Sequence, residues 1–182
     1  MDMEKLLEWD GQALLWLKDT FAHPVLDKIM LFVSRMGDKG FCWIVLGLLF
    51  LLLGRRKRVW FQRGMMVLSA LLADVLLCNV LLKPLVNRTR PYEVLDYTLI
   101  VPPMHDASFP SGHTAASFAA ATALYTMNPK WGRAAYAFAV LMGFSRLYLG
   151  VHFPLDVLAG AFVGVFAAKG ALYLIKKKCF LK

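Results

Sequence analysis

The sequence predicts an all-α protein: a multi-pass transmembrane helical bundle of about five spans, with an N-terminal amphipathic helix lying in the interface. Three observations carry this reading. Of the 182 residues 59% are hydrophobic, and the mean hydropathy of +0.55 is too high for an ordinary soluble domain of this length. Uncharged or nearly uncharged runs recur along the chain. The basic residues gather between alternate runs, as the positive-inside rule requires of a multi-span protein.

The elements follow in order. Residues 5–21 read as an amphipathic helix, with Leu6, Trp9, Ala13, Trp16 and Leu17 set against Glu8, Gln12 and Asp19. Its acids, and the lack of a basic start before an apolar core, separate it from a signal peptide. It is therefore expected in the outer interface, with residues 24–36 leading into the first span; a sixth, poorly hydrophobic span is the alternative. Spans are expected over residues 40–54, 64–82, 109–127, 134–145 and 153–175. The shorter ones need flanking residues to reach the roughly 20 that cross the hydrocarbon. The whole chain reads as one integral-membrane domain, residues 1–36 forming the interfacial region and 37–182 the transmembrane core.

The formal charge of +9 is confined to loops. Arg55, Arg56, Lys57, Arg58 and Arg63 join the first two spans, Lys130 and Arg133 join the third and fourth, and Lys176, Lys177, Lys178 and Lys182 follow the fifth. Five spans put all three groups on one side, the cytoplasmic one. This distribution argues against a nucleic-acid partner, whose footprint would be a basic patch on one face. The three cysteines show no paired spacing and no metal-ligand pattern.

The remaining polar residues collect at the opposite face in three clusters: KPLVNRTRPY from Lys83, PSGH from Pro110 to His113, and SRLYLGVHFPLD from Ser145 to Asp156. Arginine offers a planar fork of donors to phosphate oxygens and lysine a compact charge, so Lys83, Arg90 and Arg146 suit a phosphate clamp. Snorkelling or headgroup pairing would explain any one of them, but three on the face that should be poor in Lys and Arg point to a site. Ser111 suits a helix N-cap and Gly112 permits close backbone approach, so the first-turn N–H groups can face an anion. His113 lies within that turn, placed to give a proton to a leaving oxygen. His152 and Asp156 share a helix face at four-residue spacing, and a carboxylate bonded to one imidazole nitrogen leaves the other free to attack. Asp74, inside the second span, is assigned a structural role with a buried hydrogen-bond partner on another span.

Lysine, six residues, Arg-Pro, then Pro-Ser-Gly-His, then Ser-Arg, five residues, His, three residues, Asp: this three-part signature resembles the type 2 phosphatidic acid phosphatase superfamily, with every spacing intact. The resemblance implies a metal-independent phosphatase, without cofactor, that passes through a phosphohistidine. It makes His152 the nucleophile, Asp156 its orienting partner and His113 the general acid, with Lys83, Arg90, Arg146, Ser111 and the Gly112 N–H holding the phosphoryl oxygens. Many bacterial members carry an extra N-terminal helix that this sequence is not expected to share. The superfamily's soluble vanadium haloperoxidases are a poor match for so small and apolar a chain.

The expected substrate is a membrane lipid phosphate or diphosphate, undecaprenyl diphosphate being favoured because the site faces outward from a bacterial cytoplasmic membrane, where that carrier is recycled. A phosphatidylglycerophosphate or phosphatidate phosphatase is the alternative. A lipid phosphotransferase and a non-enzymatic anionic-lipid binding protein are further alternatives, the last leaving the His152–Asp156 spacing unexplained. No obligate protein partner is expected. The loop over residues 92–108, with Pro102, Pro103, His105 and Asp106, is expected to overhang the site.

Overall fold

The computed structural model describes residues 3–179, with side chains described over residues 5–175. Lys182 lies outside the described residues, as do the side chains of Lys176, Lys177 and Lys178. The described residues are helical, with no strand among them. In chain order the helices are α1 (Met3–Phe21), α2 (Pro24–Met36), α3 (Phe41–Leu53), α4 (Arg58–Asp74), α5 (Lys83–Val86), α6 (Pro91–Val94), α7 (Gly112–Met127), α8 (Pro129–Tyr148) and α9 (Pro154–Cys179). A π-helical segment, Val75–Leu82, carries α4 directly into α5.

Prolines open α2, α6, α8 and α9, where the missing N–H costs nothing and φ is already helical. The Asn128 side chain caps α8 by accepting from the Lys130 N–H at 2.9 Å. Between α2 and α3 a 3₁₀ turn, Asp38–Gly40, ends with Gly40 at φ +71° and bends the two helices by 44°.

Among the described residues two helical stretches are long and apolar enough to cross a membrane, Arg58–Val94 and Pro154–Ile175, and α2 with α3 makes a third if the bent pair counts as one. The α7 helix, only 16 residues long, is enclosed: Thr114, Ala115, Ala116, Ser117 and every residue from Ala119 to Leu124 are buried. A helix surrounded by other helices needs small residues more than greasy ones, which lowers its hydropathy. The contact with α9 shows why. A Cβ on Gly164 would lie 2.1 Å from the Ala115 carbonyl oxygen, and one on Gly160 2.6 Å from that of Ser111, so the two backbones touch. Phe162 and Phe166, between and beyond these glycines, are among the most exposed apolar residues and face outward.

The turn between α3 and α4 and the turn between α7 and α8 meet at one end of the bundle. Trp60 stacks on Trp131 with centroids 6.0 Å apart, and the Arg63 guanidinium covers both rings. Two of the three basic clusters therefore share an end, and Lys83, His113 and His152 lie at the other.

The N-terminal helix turns a narrow face inward. Asp10, Gly11 and Leu14 are buried, while Trp9 and Trp16 are 74% and 64% exposed. Around a membrane protein the apolar side of an interfacial helix turns toward lipid, and the polar Asp10 turns inward to partners described below. Asp74 departs from expectation: its Oδ1 is buried without a hydrogen-bond partner, and instead of a structural contact it faces a cavity.

Candidate active site

The site is assembled by chain reversals. Asn87, at φ +42°, turns the chain after α5, a conformation asparagine accepts more readily than most residues. Arg88 and Arg90 are thereby sent back into the bundle, Arg90 as the extended residue before α6. Gly150, at φ +71°, makes the matching turn between α8 and α9 and delivers His152 beside the first turn of α9.

Lys83, Arg90, Gly112, His113 and His152 line one cavity of about 610 Å³. Ile44, Leu71, Val75 and Ala116 give it an apolar side, broken by Asp74 and Asn79. Ser111, Arg146 and Asp156, the other residues singled out by the motifs, stand fully buried behind this lining. Ser111 is the N-cap of α7 by backbone geometry, but its hydroxyl makes no capping bond and accepts instead from Thr114 Oγ1 at 3.0 Å. The Ser111 N–H donates to the Asp156 carbonyl at 3.0 Å, fastening the start of α7 to that of α9. The first-turn N–H groups of α7 are left without helical acceptors beside the cavity.

His152 and Asp156 meet less directly than their spacing predicts. His152 Nδ1 lies 3.7 Å from Asp156 Oδ2, beyond hydrogen-bond reach. Asp156 is held elsewhere: Ser108 Oγ donates to Oδ2 at 2.6 Å, the Phe153 N–H donates to the same oxygen at 2.9 Å, and Arg88 Nη1 reaches Oδ1 at 2.7 Å. Arg88 also binds Asp10 of α1, whose other oxygen accepts from the Leu155 N–H. Burial, reinforced by Arg146 and Arg90 and opposed by Asp156, pushes the His152 imidazole down to about 3, so it is uncharged at neutral pH.

The cations have internal partners. Arg90, 1% exposed, donates to the Val151 carbonyl at 2.7 Å, to the Asp106 carbonyl at 2.8 Å and to Asp106 Oδ1 at 2.6 Å. Lys83 binds the other oxygen of the same carboxylate. Burial alone would raise the Asp106 carboxyl, but Lys83 and Arg90 outweigh it and hold it at about 2. Arg146 donates to Ser34 of α2 and to Met104 Sδ, and its Nε is buried without a partner. His113 Nε2 lies 3.0 Å from Asp38 Oδ1.

Asp10, Ser34, Asp38, Arg88, Asp106 and Ser108 therefore belong to the site's surroundings although the motifs assigned them no role. Arg88, Asp106 and Ser108 were at least within the segments that the motifs and the overhanging loop marked. The others sit in stretches with no chemical signature.

A phosphoryl group brings charge that two buried arginines, a lysine and a row of free N–H groups can neutralise, and an uncharged imidazole stands among them with a lone pair to offer. The apolar wall suits whatever hydrophobic chain carries that group into the membrane. Fold and cavity together define a membrane-embedded lipid phosphate phosphatase. The family model described as the PAP2 superfamily matches residues 63–179, and the chain belongs to that superfamily.

Three relatives place it further. The chain is 33% identical over 144 residues to the undecaprenyl-diphosphatase BcrC of Bacillus subtilis, covering 79% of this chain and 72% of that protein. It is 29% identical over 174 residues to a lipid A 4'-phosphatase of Porphyromonas gingivalis, covering 90% and 71%. The crystal structure of a PAP2-type phosphatidylglycerolphosphate phosphatase from Bacillus subtilis superposes with a TM-score of 0.79 at 25% identity, covering 98% of this chain and 90% of that one.

Proposed function

We propose that this protein removes phosphate from a lipid phosphate or diphosphate, undecaprenyl diphosphate first among them, through a covalent phosphohistidine on His152 and without a metal ion. The observation that carries the reading is a buried, uncharged His152 whose Nδ1 is turned toward Ser108 and Asp156, leaving Nε2 for the cavity that Lys83, Arg90 and His113 also line. Nε2 attacks phosphorus, the bond to the leaving oxygen breaks, and His113 gives that oxygen its proton. Water then attacks the phosphohistidine, His113 takes the proton back, and inorganic phosphate leaves. Lys83, Arg90 and Arg146, with Ser111 and the Gly112 N–H, neutralise the phosphoryl oxygens in both steps.

The chain acts as one domain with five spans, α3, α4 with its π-helical extension, α7, α8 and α9, and with α1 in the outer interface. Basic loops at the end marked by Trp60 and Trp131 support a cavity on the extracytoplasmic side of a bacterial membrane. That face, and the likeness to an undecaprenyl-diphosphatase, support the polyprenyl substrate. The fit to a phosphatidylglycerolphosphate phosphatase over nearly the whole chain favours a glycerophospholipid as the second reading.

Phosphate release by detergent-purified protein in EDTA, from undecaprenyl diphosphate, phosphatidylglycerophosphate and phosphatidate, ranks the substrates. His152→Ala is expected to abolish turnover on all three and to remove an acid-labile phosphoenzyme. Full activity in that variant would refute the mechanism.

A further inference from the structure

The phosphate clamp is already filled by the protein's own anion. The two oxygens of the Asp106 carboxylate face Arg90 Nη2, at 2.6 Å, and Lys83 Nζ, meeting two cations of the cavity much as two phosphoryl oxygens would. Meanwhile Arg146 Nε, buried behind the cavity, has no acceptor. A site whose cations were merely waiting for substrate would leave these donors to water.

Resting on the phosphatase reading above, we propose that Asp106 is a competing carboxylate: it occupies the phosphate seat of the empty enzyme, must be displaced by substrate, and so sets the affinity a phosphate needs to enter. Phosphates without a lipid chain are thereby held off. The exchange needs no movement of the backbone. The loop is pinned by main-chain groups, with the Asp106 carbonyl on Arg90 Nε, the Ser108 N–H on the Arg88 carbonyl, and Met104 paired to the Tyr92 hydroxyl through both its N–H and its carbonyl. The Asp106 side chain is 56% exposed, so rotation about its own bonds carries the carboxylate into water.

The consequence is selection by the tail. Every phosphate, lipid-borne or free, must break the same two charge-assisted bonds to enter. A lipid recovers that cost by laying its chain against Ile44, Leu71, Val75 and Ala116, whereas inorganic phosphate and small phosphate esters have nothing to bury there. After hydrolysis the product phosphate has lost its tail and competes with Asp106 on poor terms, so the carboxylate also clears the site.

The test compares wild type with Asp106→Asn and Asp106→Glu in detergent. Asparagine keeps the shape and the loop's main-chain bonds but removes the charge. Binding of inorganic phosphate, measured by titration calorimetry, is expected to tighten about tenfold or more in Asp106→Asn and to stay near wild type in Asp106→Glu. The inhibition constant of inorganic phosphate against undecaprenyl diphosphate hydrolysis is expected to fall in parallel. Weaker or unchanged phosphate binding in Asp106→Asn would overturn the proposal and make Asp106 a group that merely positions Lys83 and Arg90. Equal tightening in Asp106→Glu would overturn it as well. Calorimetry needs no turnover: a wild type inactive on every lipid would refute the phosphatase reading while the binding comparison still decided the role of Asp106.

Discussion

Ser108 Oγ stands between His152 and Asp156, 2.6 Å from the carboxylate and 3.5 Å from the imidazole Nδ1, in a gap of 3.7 Å that the two side chains do not bridge themselves. The hydroxyl spends its proton on Asp156, so its lone pair faces the Nδ1 edge and favours the tautomer with a proton there. That tautomer leaves Nε2 unprotonated. Ser108→Ala is therefore expected to lower kcat about tenfold, the worth of one buried hydrogen bond, with KM little changed because Ser108 is outside the clamp. Steady-state kinetics on one lipid substrate check it; a raised KM with intact kcat would contradict the assignment.

Arg88 bridges two carboxylates that are almost wholly buried, Asp10 on α1 and Asp156 on α9, and lies over the Phe153 ring at 4.0 Å. Removing it strands both charges. Arg88→Ala is expected to cost about 3–5 kcal/mol, as broken buried pairs do, and to lower the unfolding temperature in detergent accordingly. Arg88→Lys should recover only part, since a single ammonium nitrogen lacks the two spaced donor nitrogens by which Arg88 reaches Asp156 and Asp10. Asp10→Ala should instead free α1 alone, read as faster proteolysis within residues 5–21 at nearly unchanged unfolding temperature of the remainder.

These two residues show what the sequence could and could not disclose. Lys83, Arg90, His113 and His152 were legible because catalytic chemistry restricts residue type and the fold restricts spacing, and the structure brings all four to one cavity. Helices were legible from apolar runs, though α4 begins at Arg58, inside the basic loop, because a helix end tolerates charges that a hydropathy run does not. The amphipathic pattern of α1 was legible, but the burial of Asp10 was not, because its partners Arg88 and Leu155 are distant in sequence. Asp10, Ser34 and Asp38 left no trace at all: each is a single polar residue whose partner lies 75 or more positions away, and no period or motif links such pairs.

The touching backbones of α7 and α9 give a contrast between two glycines of one helix. A methyl group on Gly164 has nowhere to go, with the Ala115 carbonyl at 2.1 Å, whereas nothing lies within 4 Å of one on Gly170. Gly164→Ala is expected to push the helices apart, separating His113 from His152 and abolishing activity even in protein that still folds. Gly170→Ala is expected to be neutral or stabilising by up to about 1 kcal/mol, from helix propensity. Activity and unfolding temperature of the two variants, measured side by side, test the pair.

Stability should fall on the acid side, and the sign follows from His152. Its folded value of about 3 lies below the ordinary 6.5, so between these pH values the unfolded chain binds a proton that the native protein does not. The His152 contribution is full above about pH 6.5 and declines as pH drops toward 3, by at most about 1.4 kcal/mol per pH unit for one proton. Asp106, held at about 2 against an ordinary 3.8, adds loss of the same sign only as pH falls from about 3.8 toward 2. Unfolding temperature from pH 7 to 4 should decline more gently in His152→Asn than in wild type; parallel curves would exclude His152 as the source.

Asp38 reaches His113 from the exposed 3₁₀ turn, Oδ1 to Nε2 at 3.0 Å, and is 60% exposed where His113 is 17%. If His113 is the proton donor to the leaving oxygen, a carboxylate beside its ring supports the charged form from which the proton is given. The size of that help depends on the leaving group. An alkoxide cannot depart without a proton, while p-nitrophenolate leaves readily on its own. Asp38→Asn is therefore expected to slow phosphatidate hydrolysis about tenfold or more and p-nitrophenyl phosphate hydrolysis hardly at all. Equal slowing of both would assign Asp38 to holding the turn at the cavity mouth, and no slowing of either would remove it from the reaction.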